Sequence, residues 1–346
     1  MRKLYQQWIE QWETRLTTRD DHTRVVRPLE WGVEWTENWP LLDGHRPGHG
    51  AAAEEEFIAR LNQEIVAKSD EFFSYRTASD FHVEDGVLHF TSPVRSPYPT
   101  NNEVKARWFP ARGRRAVVLL PHWNSKPESY VALCKVFNLL GVSTLRLSLP
   151  YHDARMPDEL HRADYAVSAN IGRTIESSRQ AVVDVRSCLD WLQQQGYTRL
   201  GVVGTSLGSC YAFIVAAHDP RISVCAFNHA STYFADVVWT GQSTRHIRKA
   251  IEEAIDLDRL RRAWLGISPM MYWEKFERYP KRSLIIYARY DLTFLPEFSQ
   301  QVAAEFRRRN LEHKLVVLPC GHYTTGETPY KFLDGYHIAR FLVESF

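Results

Sequence analysis

The 346-residue sequence predicts an α/β fold in which a mostly parallel central sheet carries helices on both faces, with a helical cap insertion and an N-terminal extension. Three observations predict it. From about residue 114 onward, short apolar or β-branched runs alternate with longer amphipathic stretches, the order expected of parallel strands joined by crossover helices. Two of the runs stop at prolines, Pro121 and Pro150, which cannot continue a central strand. The composition, 44% hydrophobic and 24% charged, is that of an ordinary globular chain, long enough for one elaborated domain or for two.

Taken in order, residues 1 to about 110 lie outside the alternation. They offer a helix from Ala51 to Lys68, a hairpin-like stretch from Phe81 to Phe90 and a connector punctuated by Pro93, Pro97 and Pro99. Trp8, Trp12, Trp31, Trp35 and Trp39 all precede residue 40, so this segment has to dock on an apolar surface. Residues 1–110 are therefore expected to be a Trp-rich extension packing on a core of residues 111–346.

The core opens with a strand Ala116 to Leu120, a helix Ser129 to Leu140 closed by Gly141, and a strand Ser143 to Leu149. A second unit follows, with a helix Thr174 to Gln195, a strand Arg199 to Gly204, an apolar helix Leu207 to His218 and a strand Ile222 to Phe227. Residues 231–280, rich in Trp, Met, Tyr and Arg, break the pattern and are read as the inserted cap. Strands Ser283 to Ala288 and His313 to Leu318 then flank a helix Pro296 to Arg309, and a last helix runs from about Tyr330 to Phe346.

Lys plus Arg exceed Asp plus Glu by two, which supplies no electrostatic reason to expect nucleic acid or an anionic membrane as partner. The first ten residues hold no apolar run of signal-peptide length, and no stretch approaches the ~20 apolar residues of a membrane span. Five cysteines, odd in number, widely spaced and without a C-x-x-C pair, point to a reduced interior. The expectation is a cytoplasmic protein, with a homodimer kept open.

The decisive stretch is Gly204-Thr205-Ser206-Leu207-Gly208, a G-x-S-x-G set between a strand and a helix. The spelling alone would occur by chance in about one chain in ten of this length, so its placement carries the weight. A serine on such a sharp turn needs small neighbours, and the following helix directs N–H dipoles at a developing negative oxygen. Serine is a poor nucleophile unless a histidine takes its proton and an acid orients that histidine. Asp291 and His322 each follow a late strand, at the sheet edge where sites form in open α/β folds. The order Ser206, Asp291, His322 completes the pattern.

From about Ala116 to Phe346 the chain resembles the α/β-hydrolase superfamily of serine hydrolases, with a layout similar to its esterase-like and dienelactone-hydrolase-like members. The resemblance implies Ser206 as nucleophile, His322 as general base, Asp291 as its partner and the N–H of Leu207 as one oxyanion donor. The second donor would lie after the first long strand, where this chain reads Leu120-Pro121-His122-Trp123-Asn124-Ser125 without the glycine common there. Matching strand ends favours the N–H of Trp123, and a one-residue shift selects Asn124. His122, Asn124, His152 and His229 are the candidates to line a substrate pocket.

Each assignment has a plainer alternative. Ser206 also fits an ordinary tight turn, and Asp291 also fits a cap for the helix near Pro296. Asp184 and Asp236 are weaker substitutes for the acid, since neither directly follows a late strand. A metal site from His122, His152 and Asp153 lacks any paired helical spacing, so neither metal nor cofactor is expected. The cap aromatics Tyr233, Phe234, Trp239, Trp264, Tyr272 and Trp273 fit either an apolar pocket or core packing. The expected function is cleavage of a small-molecule carboxylic ester or related acyl compound, of carboxylesterase type. A peptidase or thioesterase using the same residues, or a catalytically silent binding protein, stays open.

Overall fold

The computed structural model describes residues 2–41, 47–48 and 50–346. Among them, nine strands form one sheet: β1 (His82–Glu84), β2 (Val87–Thr91), β3 (Glu103–Phe109), β4 (Arg115–Leu120), β5 (Ser143–Leu147), β6 (Arg199–Thr205), β7 (Ile222–Asn228), β8 (Arg282–Ala288) and β9 (His313–Leu318). Their spatial order is β1-β2-β3-β5-β4-β6-β7-β8-β9. The six strands from β5 to β9 in that order run parallel, and β1, β2 and β3 add an antiparallel edge beside β5.

The hairpin-like stretch read near Phe81 to Phe90 is β1–β2, and residues 82–109, set apart in the sequence with the N-terminal segment, belong to the same sheet. Strand β3 explains the difference. Its Val104 and Ala106 are fully buried while Glu103, Lys105 and Arg107 are more exposed. That alternation marks a half-covered antiparallel strand and lacks the continuous apolar run of a central one.

Side chains alternate between the two faces of β4: Ala116, Val118 and Leu120 enter one core, Val117 and Leu119 the other. The first face carries the helices Ile171–Gln194, Leu207–His218 and Pro296–Arg308; the second carries Val131–Leu139 and Tyr330–Ser345. Helix Leu207–His218 is buried along its whole length, which is why its sequence is apolar all round. The long helix starts three residues before the expected Thr174 because the Asn170 side chain caps it, accepting the Arg173 N–H at 2.9 Å.

Residues 231–280 form short helices between β7 and β8. Trp264, Tyr272 and Trp273 are buried there, Trp273 meeting Phe213 edge to face at 4.7 Å, so these aromatics chiefly pack the insertion onto the core. The N-terminal segment docks by Trp31 and Trp39, both buried, while Trp8 is half exposed. Its helix Ala51–Ala67 fastens to the insertion through Asn62, whose Oδ1 accepts the Gly266 N–H at 2.9 Å.

The chain leaves β4 toward β5 on one side and returns to β6 on the other. The crevice past the carboxyl ends of β4 and β6 is therefore the topological switch point of the sheet, the place where such folds build sites.

Candidate active site

Ser206 sits in that crevice, on the turn between β6 and the helix Leu207–His218, with φ 57° and ψ −121°. A non-glycine residue held in this conformation is strained, and its surroundings show what holds it. A Cβ on Gly208 would lie 2.3 Å from the Leu120 carbonyl oxygen of β4, and one on Gly204 would lie 2.3 Å from the Gly208 oxygen. Both glycines of the pentapeptide are thus fixed by close backbone approach, and the serine between them is lifted to the sheet edge.

His322 follows β9 and spans the gap to Ser206. Its Nε2 lies 2.9 Å from Ser206 Oγ and its Nδ1 lies 2.9 Å from Asp291 Oδ2. Asp291 is buried, and its other oxygen accepts the N–H groups of Thr293 and Phe294, each at 2.8 Å. Burial by itself would raise the Asp291 carboxyl, but the charge of His322 and the hydrogen bonds from His229 and His322 outweigh it and hold the carboxyl well below the usual range. An ionised carboxylate only accepts, so the Nδ1 of His322 is the protonated nitrogen and Nε2 is free to accept from the serine hydroxyl. Such a chain can take the proton of Ser206 and stabilise the resulting imidazolium.

Several comparisons bear on the arrangement. The family model described as alpha/beta hydrolase domain containing 18 matches residues 132–303, a span that includes Ser206 and Asp291 and ends before His322. The chain overlays on the acetyl xylan esterase from Paenibacillus sp. R4 with a TM-score of 0.60 at 11% identity, covering 90% of this chain and 99% of that one. It overlays on acetyl xylan esterase 1 from Thermoanaerobacterium sp. with a TM-score of 0.56 at 15% identity, covering 93% and 100%. The chain has the α/β-hydrolase fold. An acylaminoacyl peptidase from Pyrococcus horikoshii is also similar, with a TM-score of 0.56 at 8% identity over 79% of this chain, which spans 50% of the peptidase chain. At these identities the likeness is one of fold. No curated protein matches the sequence.

The crevice opens into a cavity of about 1160 Å³ that is lined at the serine by His122, Trp123, Ser206, Leu207 and His229 together with Phe234, Val237, Val238 and Phe294, and that runs on to the helices Val131–Leu139 and Tyr330–Ser345. Leu207 begins the helix after the serine, and Trp123 follows β4 across the crevice from it. The Trp123 indole donates to the Ala163 carbonyl at 2.9 Å. His122 faces the cavity with Nδ1 2.7 Å from the Tyr130 hydroxyl, and burial, with neighbouring positive charges, brings its imidazole down to about 3.

Two of the expected pocket residues are placed elsewhere. The Asn124 side chain accepts the Ala163 N–H at 2.8 Å and ties two loops together behind the cavity wall. His152 is fully buried, with Nδ1 2.8 Å from the Pro150 carbonyl, and does not border the cavity. Sequence position put both at the sheet edge, but the edge has an inner and an outer side. Asp153, grouped with His122 and His152 as a metal candidate, is ion-paired with Arg146. The alternative acids are occupied too, Asp184 by Arg155 at 2.8 Å and Asp236 by Arg261 at 2.6 Å.

Three further groups carry no signal in the motifs. His229, expected only as a pocket residue, also brings its Nδ1 to 2.8 Å from the same Asp291 oxygen that His322 uses. The ligand-type atoms of His229, Asp291 and His322 lie within 4.8 Å of one another, but a cation among them would compete with the two hydrogen bonds that converge on that oxygen. Asp334, on the last helix, accepts both hydrogen bonds from the Asn228 amide at 3.0 Å and is pushed up to about 6 by burial. Glu13, on the first helix Arg2–Thr18, lies under the His322 loop, and burial together with the Asp291 charge raises it to about 7.

Proposed function

We propose that this chain is a serine hydrolase that cleaves a carboxylic ester or related acyl bond by way of an acyl-enzyme on Ser206. The observation that carries the reading is the unbroken hydrogen-bonded chain from Ser206 Oγ through the two nitrogens of His322 to Asp291. In the proposed first half-reaction Ser206 Oγ attacks the acyl carbon as His322 Nε2 takes its proton, and Asp291 stabilises the imidazolium. Negative charge gathers on the acyl oxygen, for which the N–H groups of Leu207 and Trp123 are the proposed donors. Collapse of the adduct expels the alcohol, which leaves with the proton from His322. A water then attacks the acyl-enzyme with His322 again as base, releasing the acid and restoring Ser206.

The strained backbone of Ser206 favours this reading over a silent binding protein, since such strain persists where the surroundings impose it for use. The walls Phe234, Val237, Val238 and Phe294 support a substrate with an apolar group beside the scissile bond. No cofactor enters the proposed reaction. Among the described residues no helix is long and apolar enough to cross a membrane. All five cysteines are buried and free, which supports a reducing, cytoplasmic setting. Steady-state hydrolysis of a p-nitrophenyl ester series by wild type and Ser206→Ala tests the proposal. Wild-type turnover is expected to fall by about ten thousandfold or more in the variant. Equal turnover by the two proteins would refute it.

A further inference from the structure

The N-terminal helix Arg2–Thr18 lies outside the span that carries the hydrolase motifs, yet it reaches the loop that bears His322. Glu13 is fully buried there. One carboxylate oxygen accepts the Tyr323 N–H at 2.6 Å and the other accepts the Thr324 N–H at 3.0 Å. These are the two backbone donors that directly follow His322, in a buried place where an unpaired donor would be costly.

The neighbourhood is shaped around that carboxylate. A Cβ on Gly321 would come within 2.4 Å of Glu13 Oε2 and within 2.9 Å of the Tyr290 carbonyl oxygen, so the glycine beside His322 is needed for Glu13 to enter as well as for the strand end. The helix is anchored independently of Glu13. Ile9 is buried in the core that Tyr290 and Tyr330 share, and the Tyr5 hydroxyl lies 2.6 Å from the Pro319 carbonyl at the start of the same loop. Within the loop, the Gly321 N–H donates to Thr324 Oγ1 at 2.7 Å and Thr325 Oγ1 donates to the Gly321 carbonyl at 2.8 Å. These bonds fold the loop on itself; the Tyr5 hydroxyl and the Tyr290 N–H, the latter 2.9 Å from the Cys320 carbonyl, hold its start, and Glu13 ties the two N–H groups after His322 to the helix.

We propose that Glu13 is a positioning residue for His322: by bridging the Tyr323 and Thr324 N–H groups from a separately anchored helix, it fixes the loop in the register at which one imidazole reaches both Ser206 and Asp291. The proposal rests on the serine hydrolase reading for its kinetic consequence but not for its structural one. Both imidazole bonds are 2.9 Å, so a loop displaced by an ångström loses one or the other. The loss falls on the chemical step, because Glu13 does not border the cavity.

The experiment compares wild type, Glu13→Gln and Glu13→Ala by hydrogen exchange of the peptide spanning 319–326 and by the rate of fluorophosphonate labelling, each on protein shown to be folded. Loss of the bridge is expected to speed exchange in this peptide by about tenfold or more, with distant core peptides unchanged. Labelling, and kcat on a p-nitrophenyl ester, are expected to slow by about tenfold to a hundredfold in Glu13→Ala with KM within about twofold, Glu13→Gln lying between. Where Glu13→Ala does not fold, Glu13→Gln carries the same readouts. Unchanged loop exchange and unchanged rates per folded molecule, even with a lowered Tm, would overturn the proposal. If wild type itself neither labels nor hydrolyses esters, the hydrolase reading fails, and the exchange result alone then decides whether Glu13 holds the loop.

Discussion

The imidazole rings of His229 and His322 lie 4.3 Å apart, centroid to centroid, and both reach one oxygen of Asp291 through Nδ1. With the other oxygen taken by two backbone N–H groups, Asp291 accepts four hydrogen bonds in a buried place. A carboxylate so satisfied stays ionised and immobile, which is what a partner for His322 requires.

In the proposed reaction His229 supports Asp291 and His322 is the base. Replacing His229 by Ala is expected to lower kcat by about tenfold with KM nearly unchanged, while His322→Ala lowers it by about a thousandfold or more. Steady-state kinetics of the two variants on one ester check this. Equal losses would show that His229 has a larger part than support.

The glycines around Ser206 make a prediction about folding. A methyl at position 208 would meet the Leu120 carbonyl oxygen at 2.3 Å, which backbone on both sides cannot easily relieve. Gly208→Ala is expected to cost about 1–3 kcal/mol by chemical denaturation, and to reduce serine reactivity by shifting the turn. A variant as stable and as reactive as wild type would contradict the account of the turn.

Asp334 gives a pH signature. Its carboxyl is raised by burial to about 6 from an ordinary value of 3.8, so in the folded chain it keeps a proton that the unfolded chain has released. The resulting penalty is absent below about pH 4, grows between about pH 4 and 6, and is complete above that. Asp334→Asn is therefore expected to gain stability relative to wild type at pH 8, by at most about 3 kcal/mol, and to gain none at pH 4. Denaturation midpoints of both proteins at the two pH values test it, and a gain that is the same at both would contradict the burial account.

What the sequence made legible follows from where its signals are local. The central strands announce themselves as apolar runs because they are covered on both faces, and Ser206, Asp291 and His322 each lie within a few residues of a strand end. The edge strands β1 to β3 were harder to read, since a half-covered strand alternates and these are separated by a proline-rich connector. Glu13 was illegible for a different reason. It meets Tyr323 across 310 residues of chain, and nothing in the local pattern of an amphipathic helix distinguishes a glutamate that points inward. Asn124 and His152 show the converse limit: sequence placed them at the correct edge, but which way each side chain turns depends on partners such as Ala163 and Pro150 that only folding supplies.

Whether Ser206 is an activated nucleophile can be read from intact-protein and peptide mass spectrometry after treatment with a fluorophosphonate. Wild type is expected to carry a single adduct, on the peptide containing Ser206, and Ser206→Ala none. Folded wild-type protein that takes up no adduct, or an adduct that persists in the variant, would contradict that role for Ser206.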